Sequence, residues 1–100
     1  MKIIKAKYDK DCTQISNITL QNRDLSIKAR GLLAFLLSLS EKWECCIEGI
    51  ATATGKGVTS IRSAVRELEQ NGYLERKKSR SEKGQFVKAD WVIYEDPADS

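Results

Sequence analysis

Residues 47–74 limit what this chain can fold into more than any other segment does. Across residues 47–54, apolar or small side chains recur at positions i, i+3, i+4 and i+7, which is the spacing of one buried face of a short helix. Gly55 and Gly57 follow, and glycine adopts the left-handed backbone conformations that end a helix and turn the chain. The segment therefore predicts a short helix that stops at a tight turn.

A second helix is predicted directly after this turn, over about residues 58–71. Ile61, Val65 and Leu68 fall at i, i+4 and i+7 and form an apolar stripe. The opposite side, at about 100° per residue, carries hydroxyl, amide and basic side chains: Thr59, Arg62, Ser63, Arg66 and Gln70. This pattern predicts an amphipathic helix with a basic exposed face, and a merely solvated polar face is the alternative interpretation.

The carboxylates of this second helix, Glu67 and Glu69, lie toward its C-terminal half and its flanks. The N-terminal half could therefore approach phosphates with little like-charge repulsion. Two short helices joined by a tight turn, the second with a basic face, indicate a helix-turn-helix in which the second is the recognition helix. We expect double-stranded DNA as the partner.

The segment after Leu74 predicts a β-hairpin. A basic and polar run, residues 75–84, leads into residues 85–94. There Val87, Ala89, Trp91 and Ile93 alternate with Lys88, Asp90, Val92 and Tyr94. The alternation and the glycine-bearing linker indicate two antiparallel strands, which we interpret as a wing over about residues 73–94. The predicted fold class is α+β, a winged helix-turn-helix with a three-helix core and a small antiparallel sheet.

Positive charge is concentrated in these two elements. From Lys56 to Lys88, nine basic residues accompany four acidic ones, a net charge of +5, whereas the whole chain carries only +3. The rest of the chain is therefore acidic, at −2. A molecule polarised in this way presents its basic side to nucleic acid.

A longer helix is predicted upstream, from Leu25 to Leu39, with Ser26 as its N-cap. It is apolar around most of its circumference and is the expected centre of the core. Phe35 and Leu37 lie on different sides of it. Two outcomes stay open: both pack beneath the wing or the N-terminal segment, or one is left for a partner surface.

Shorter elements and the domain boundaries are predicted as follows. Residues 1–12 form an N-terminal extension with a short strand at Ile3 and Ile4, and residues 16–20 form one helical turn. Residues 43–45 supply a small strand that pairs with the wing, and Trp43 covers the core. The winged domain spans residues 13–95, and residues 96–100 are a polar tail or the start of a linker.

The composition argues against several other classes of protein. With 100 residues and 41% apolar side chains, the sequence is expected to form one small domain. Three cysteines without any histidine cannot supply four zinc ligands, so neither a metal nor a cofactor is expected, and Cys46 takes the place of a helix cap. The sequence contains no P-loop, no nucleophile motif and no paired carboxylates, so we do not expect an enzyme. An apolar span or signal peptide is also missing, so a cytoplasmic protein is expected.

Several segments taken in order resemble a known family: residues 13–17, 25–33, 43–44, 47–51 and 61–74. They are similar to the N-terminal winged helix-turn-helix domain of replication initiator and replisome-organiser proteins of Gram-positive phages, plasmids and conjugative elements, including DnaD-type initiation proteins. The resemblance covers roughly residues 13–95. It implies a recognition helix in the major groove, a wing on the adjacent backbone or minor groove, and a role in replication initiation.

Ten residues are the expected DNA-binding set: Lys56, Thr59, Ser60, Arg62, Ser63, Arg66, Lys77, Lys78, Arg80 and Lys83. A guanidinium can bond guanine in bidentate fashion or grip phosphate, which makes Arg62 and Arg66 the best candidates. The hydroxyls suit phosphate or methyl contacts near the helix N-terminus. The wing cations are suited to binding phosphate. Alternatively, they only protect an exposed strand edge from aggregation.

A homodimer or higher homo-oligomer is expected, because one recognition helix reads only a few base pairs. Replication proteins are further candidate partners. Two alternative functions stay open at this point. One is a transcriptional regulator of the same fold, and the other is an oligomerisation or docking module that binds DNA weakly.

Overall fold

The computed structural model describes residues 1–5, 10–80 and 86–97, except for the side chains of residues 78–80 and 86–89. Four helices precede a hairpin of two strands: α1 (Asn17–Leu20), α2 (Ile27–Leu37), α3 (Ile47–Thr54), α4 (Val58–Gln70), β1 (Leu74–Arg80) and β2 (Phe86–Ile93). The α+β winged arrangement is confirmed, with α1 as a short helix before the three-helix core.

The core forms where α2, α3 and α4 meet. Its fully buried side chains come from the predicted apolar stripes of these helices and from the residues that join α4 to β1; they include Leu33, Ile50, Val65, Leu68 and Tyr73. Phe35 and Leu37 are both half-buried against this core. The ring of Phe35 meets Trp43 edge-on, with centroids 6.5 Å apart. Both side chains therefore serve packing, and Trp43 covers the core as predicted.

Local caps set the ends of α3. The Cys46 sulfur accepts a hydrogen bond from the backbone N–H of Gly49 at 3.3 Å, so a thiol occupies the position that serine or threonine usually fills. At the other end Gly55 has φ +73°, a left-handed conformation that costs glycine little. The N–H of Lys56 then donates to the carbonyl of Ala51, which closes the helix and starts the turn.

A second glycine closes α4 and directs the chain into the hairpin. Gly72 has φ +84°, and the N–H of Tyr73 donates to the carbonyl of Leu68 while that of Gly72 donates to Glu69. This pair of bonds is the Schellman arrangement. The Tyr73 hydroxyl accepts from the Asn22 side chain at 3.2 Å, and its carbonyl accepts from the N–H of Tyr94 at 2.9 Å. Tyr73 thus ties the base of the hairpin to the segment after α1.

The two strands pair antiparallel. Leu74 lies opposite Ile93 and Arg76 opposite Trp91, and a register shift follows at Lys78 and Ser79. Leu74 is buried, whereas Trp91 and Ile93 are half-buried against the core. The predicted inward side of the second strand is confirmed for these two residues.

Two expected strands are wrong. Residues 43–45 are irregular, and a groove of about 610 Å³ separates residues 41–48 from the wing. The backbones therefore do not meet to form a ladder. Ile3 and Ile4 also form no strand; their exposures are 66% and 84%, so neither has a sheet neighbour to cover it.

The carboxylate of Glu67 in α4 binds the N-terminus of α2. Ser26 caps α2 by accepting from the N–H of Ala29, and it donates its own N–H and its hydroxyl to the two carboxylate oxygens of Glu67, both at 2.8 Å. In many helices, a glutamate at the third position of the same helix accepts a hydrogen bond from the backbone N–H of the capping residue. Here that position is Ala29, and the carboxylate comes from α4 instead. These bonds from the backbone N–H and hydroxyl of Ser26 lower the pKa of Glu67.

We predict that Glu67→Gln lowers the free energy of unfolding by about 1 kcal/mol at pH 7. Because the folded-state pKa lies below the ordinary value of about 4.3, the carboxylate's contribution is complete above that value and is lost as the pH falls through the folded pKa. The variant should therefore lose less stability between pH 7 and pH 3 than the natural chain.

Urea unfolding at the two pH values measures this difference. Glu41→Gln is the matched control, since Glu41 is an exposed carboxylate in the loop before α3. Equal acid sensitivity of the Glu67 variant and the natural chain would contradict the role given to this contact.

Candidate nucleic-acid interface

The α3–turn–α4 unit places one face of α4 in solvent. Ile61, Ala64, Val65 and Leu68 are buried on the other face, against α2 and α3. The exposed face carries Thr59, Arg62, Ser63, Arg66 and Gln70. The sequence-based division of α4 into a buried and an exposed face is confirmed residue by residue. A major groove is wide enough to admit an α-helix.

The two arginines of this face have free guanidinium groups. Within the part of the chain that the structure describes, neither Arg62 nor Arg66 has an ion-pair partner, and both side chains are exposed. They are one helical turn apart, so they project from the same side of α4. Two adjacent positive charges without a carboxylate partner are suited to an anionic ligand.

The N-terminus of α4 adds to this positive region. Gly57 is the N-cap and offers no side-chain hydrogen bond to the first turn. The first N–H groups of a helix have no partner within the helix and carry the positive end of its dipole. Lys56 and Thr59 are exposed on either side of this end. A phosphate placed here would meet backbone donors, a hydroxyl and an ammonium group together.

The two acids of α4 are held away from this face. Glu67 is bonded to Ser26, as described above. Glu69 makes a bidentate pair with Arg76 of β1, at 3.1 Å from Nε and 2.8 Å from Nη2. The guanidinium carbon of Arg76 also lies 5.6 Å from the centre of the Trp91 ring. We call Glu69, Arg76 and Trp91 the wing clamp, because they join the end of α4 to both strands.

Sequence reasoning missed the wing clamp. It treated Arg76 as one more cation of the basic region and Glu69 as a carboxylate on a flank. The available signal was the spacing: a glycine turn after α4 folds the next strand back toward the helix, which can bring residues 69 and 76 together. The pairing means that Arg76 is engaged within the protein, so the positive charge of the interface comes from other side chains.

The predicted site residues divide into three groups. Lys56, Thr59, Arg62, Ser63 and Arg66 are exposed at the turn and along α4, and Lys77 is exposed on β1. Ser60 is half-buried, so its hydroxyl is less accessible than those of Thr59 and Ser63. The side chains of Lys78 and Arg80, and the whole of Lys83, lie outside the described residues.

Other chemically reactive groups lie apart from this face. Burial, together with the neighbouring Cys46, raises the pKa of the Cys45 thiol, which favours the uncharged form. A hydrogen bond to Glu75 at 2.9 Å raises the pKa of the Tyr94 hydroxyl. In residues 1–5, 10–80 and 86–97, no three histidine, cysteine or carboxylate side chains converge in a way that could hold a metal ion. Among those residues no helix has the length and apolar character needed to cross a membrane.

Comparison with protein-family models identifies the family of the helical unit. A model described as a helix-turn-helix domain matches residues 23–74, more than half of the chain. The matched region contains α2, α3 and α4 and ends at the first residue of β1. Comparisons with curated proteins and with solved structures found no match.

We predict that the Glu69–Arg76 pair stabilises the wing rather than the helical core. In a double-mutant cycle of Glu69→Ala and Arg76→Ala, the coupling energy should be about 0.5–1 kcal/mol, since partly exposed pairs with good geometry fall at the upper end of the surface range. Hydrogen exchange should accelerate in β1 and β2 and stay unchanged in α2. A coupling energy of zero would show that the pair contributes nothing to wing position.

Proposed function

Because the chain belongs to the helix-turn-helix domain family, we propose that it binds double-stranded DNA with α4 in the major groove and the hairpin on the adjacent backbone. The observation that carries this proposal is the separation of charge on α4. Arg62 and Arg66 are exposed and unpaired in the described chain, while both carboxylates of the helix are bonded elsewhere. That arrangement removes the groups that would repel phosphate from the side that faces the groove.

The proposed contacts follow the reach of each side chain. Lys56, Thr59 and the first N–H groups of α4 bind phosphate at one edge of the groove. Arg62 and Arg66 extend to base edges, where a guanidinium bonds O6 and N7 of guanine together. Ser63, which is exposed on the same face of α4, contacts phosphate or a thymine methyl group.

The wing extends the interface beyond the recognition helix. Lys77 is an exposed cation on the described part of β1, and Lys78, Arg80 and Lys83 follow it in sequence. These cations neutralise phosphates without reading bases, so they contribute affinity that falls with salt. Sequence selectivity then depends on α4.

We further propose that the DNA-bound form is a homodimer. A single recognition helix contacts only a few base pairs, and two copies related by a twofold axis would read half-sites about 34–36 Å apart or a multiple of that distance. An inverted repeat is the expected form of the target.

The proposed process is replication initiation of a mobile element. It is supported by the resemblance of residues 13–95 to replication initiator and DnaD-type replisome-organiser domains. A regulator of transcription would use the same surface, so the genomic position of the bound site distinguishes the two roles. A target within a replication origin supports initiation, and a target within a promoter supports regulation.

We predict that Arg62→Ala and Arg66→Ala each weaken DNA binding at least fivefold, because a bidentate base contact contributes about 1–3 kcal/mol. Both side chains are exposed, so thermal unfolding should be nearly unchanged. Fluorescence anisotropy with a labelled duplex measures the affinity. Lys42→Ala is the matched control, since it removes an exposed cation from the loop before α3. Equal affinity of both arginine variants and the natural chain at low salt would refute the placement of α4 in the groove.

A further inference from the structure

A groove lies between the loop that precedes α3 and the wing. It has a volume of about 610 Å³ and is lined by residues 41–48 together with Arg76, Asp90 and Trp91. Trp43, Ile47 and Trp91 are half-buried there, so part of the lining is apolar and accessible. The missing strand at residues 43–45 leaves this space open between the core and the hairpin.

Among the residues that the structure describes, the groove lining carries more acidic than basic side chains, whereas the exposed face of α4 is basic. Its acidic side chains include Glu41, Glu48 and Asp90, and the basic side chains of the described lining are Lys42 and Arg76. The charge of Arg76 is already matched by Glu69, which does not line the groove. An excess of carboxylates repels phosphate, so DNA is a poor occupant. A segment with both basic and apolar side chains is complementary.

The first five residues of the chain have this composition. Ile3 and Ile4 are 66% and 84% exposed and lie between Lys2 and Lys5. In an extended chain alternate side chains share a side, so one side of this segment carries Lys2 and Ile4 and the other carries Ile3 and Lys5. Either side therefore offers one apolar group and one ammonium group. None of residues 1–5 lines the groove within its own chain.

We propose that the groove binds residues 1–5 of a second copy of this chain, so that two copies exchange their N-terminal arms. The isoleucine side chains would contact Trp43, Ile47 and Trp91, and the lysines would pair with the carboxylates at the rim. In a twofold dimer each copy supplies one arm and one groove, so a single contact type is formed twice. This inference identifies the contact for the dimer in the proposed function, and it leaves both α4 faces free for DNA.

Charge reversal tests the exchange directly. The arm variant is Lys2→Glu with Lys5→Glu, and the groove variant is Glu41→Lys with Glu48→Lys. Each alone places like charges at the contact, so self-association measured by sedimentation velocity without DNA should weaken at least tenfold. An equal mixture should recover the natural association as a heterodimer, because the acidic arm then meets the basic groove and the natural arm meets the natural groove. Thermal unfolding of each variant checks that it is folded.

Three outcomes would overturn the proposal. The natural chain could stay monomeric at every concentration, the variants could associate as strongly as the natural chain, or the mixture could fail to recover association. The last result would indicate that association does not depend on pairing between the arm and the groove. DNA binding is measured separately by anisotropy on the natural chain. A natural chain that binds DNA but stays monomeric rejects only the arm exchange, whereas a natural chain that dimerises without binding DNA rejects the proposed function.

Discussion

Burial of one face of α4 is the contact on which the rest of this structure depends. Ile61, Val65 and Leu68 are almost fully enclosed by α2 and α3, and burying three such side chains contributes roughly 5–9 kcal/mol as an upper bound. That is comparable with the whole stability of a small domain, about 5–15 kcal/mol. Rotating α4 to bury its other face would place Arg62 and Arg66 in the core. The apolar stripe therefore determines which side chains are offered to a partner.

Polar contacts made by α4 add to the packing of its apolar stripe. Each acid of α4 bonds to a different neighbour: Glu67 to the start of α2 and Glu69 to Arg76 of the wing. Both contacts hold an adjoining element against α4 and keep a carboxylate turned away from the exposed arginines, and the pair with Arg76 also neutralises the charge of Glu69. The same groups thus stabilise the fold and leave the recognition face positive. Stability and the proposed function are linked through these two carboxylates.

Periodic features could be predicted from the sequence, and long-range pairings could not. The stripe of α4, the glycine turn at Gly55 and the alternation through Trp91 each depend on neighbours within one element, so spacing alone revealed them. The bonds of Glu67 and Glu69 join residues whose distance depends on the packed helices. The strand expected at residues 43–45 failed for the same reason, because a strand exists only where another backbone comes within hydrogen-bonding reach.

Selection from a pool of random duplexes across a salt series tests the central claim most directly, because the salt slope counts phosphate contacts while enrichment measures base readout. Retained duplexes should share an inverted repeat, and binding should fall steeply as salt increases. Salt-dependent retention without any enriched sequence would contradict base reading by α4. No retention at low salt would contradict DNA binding altogether.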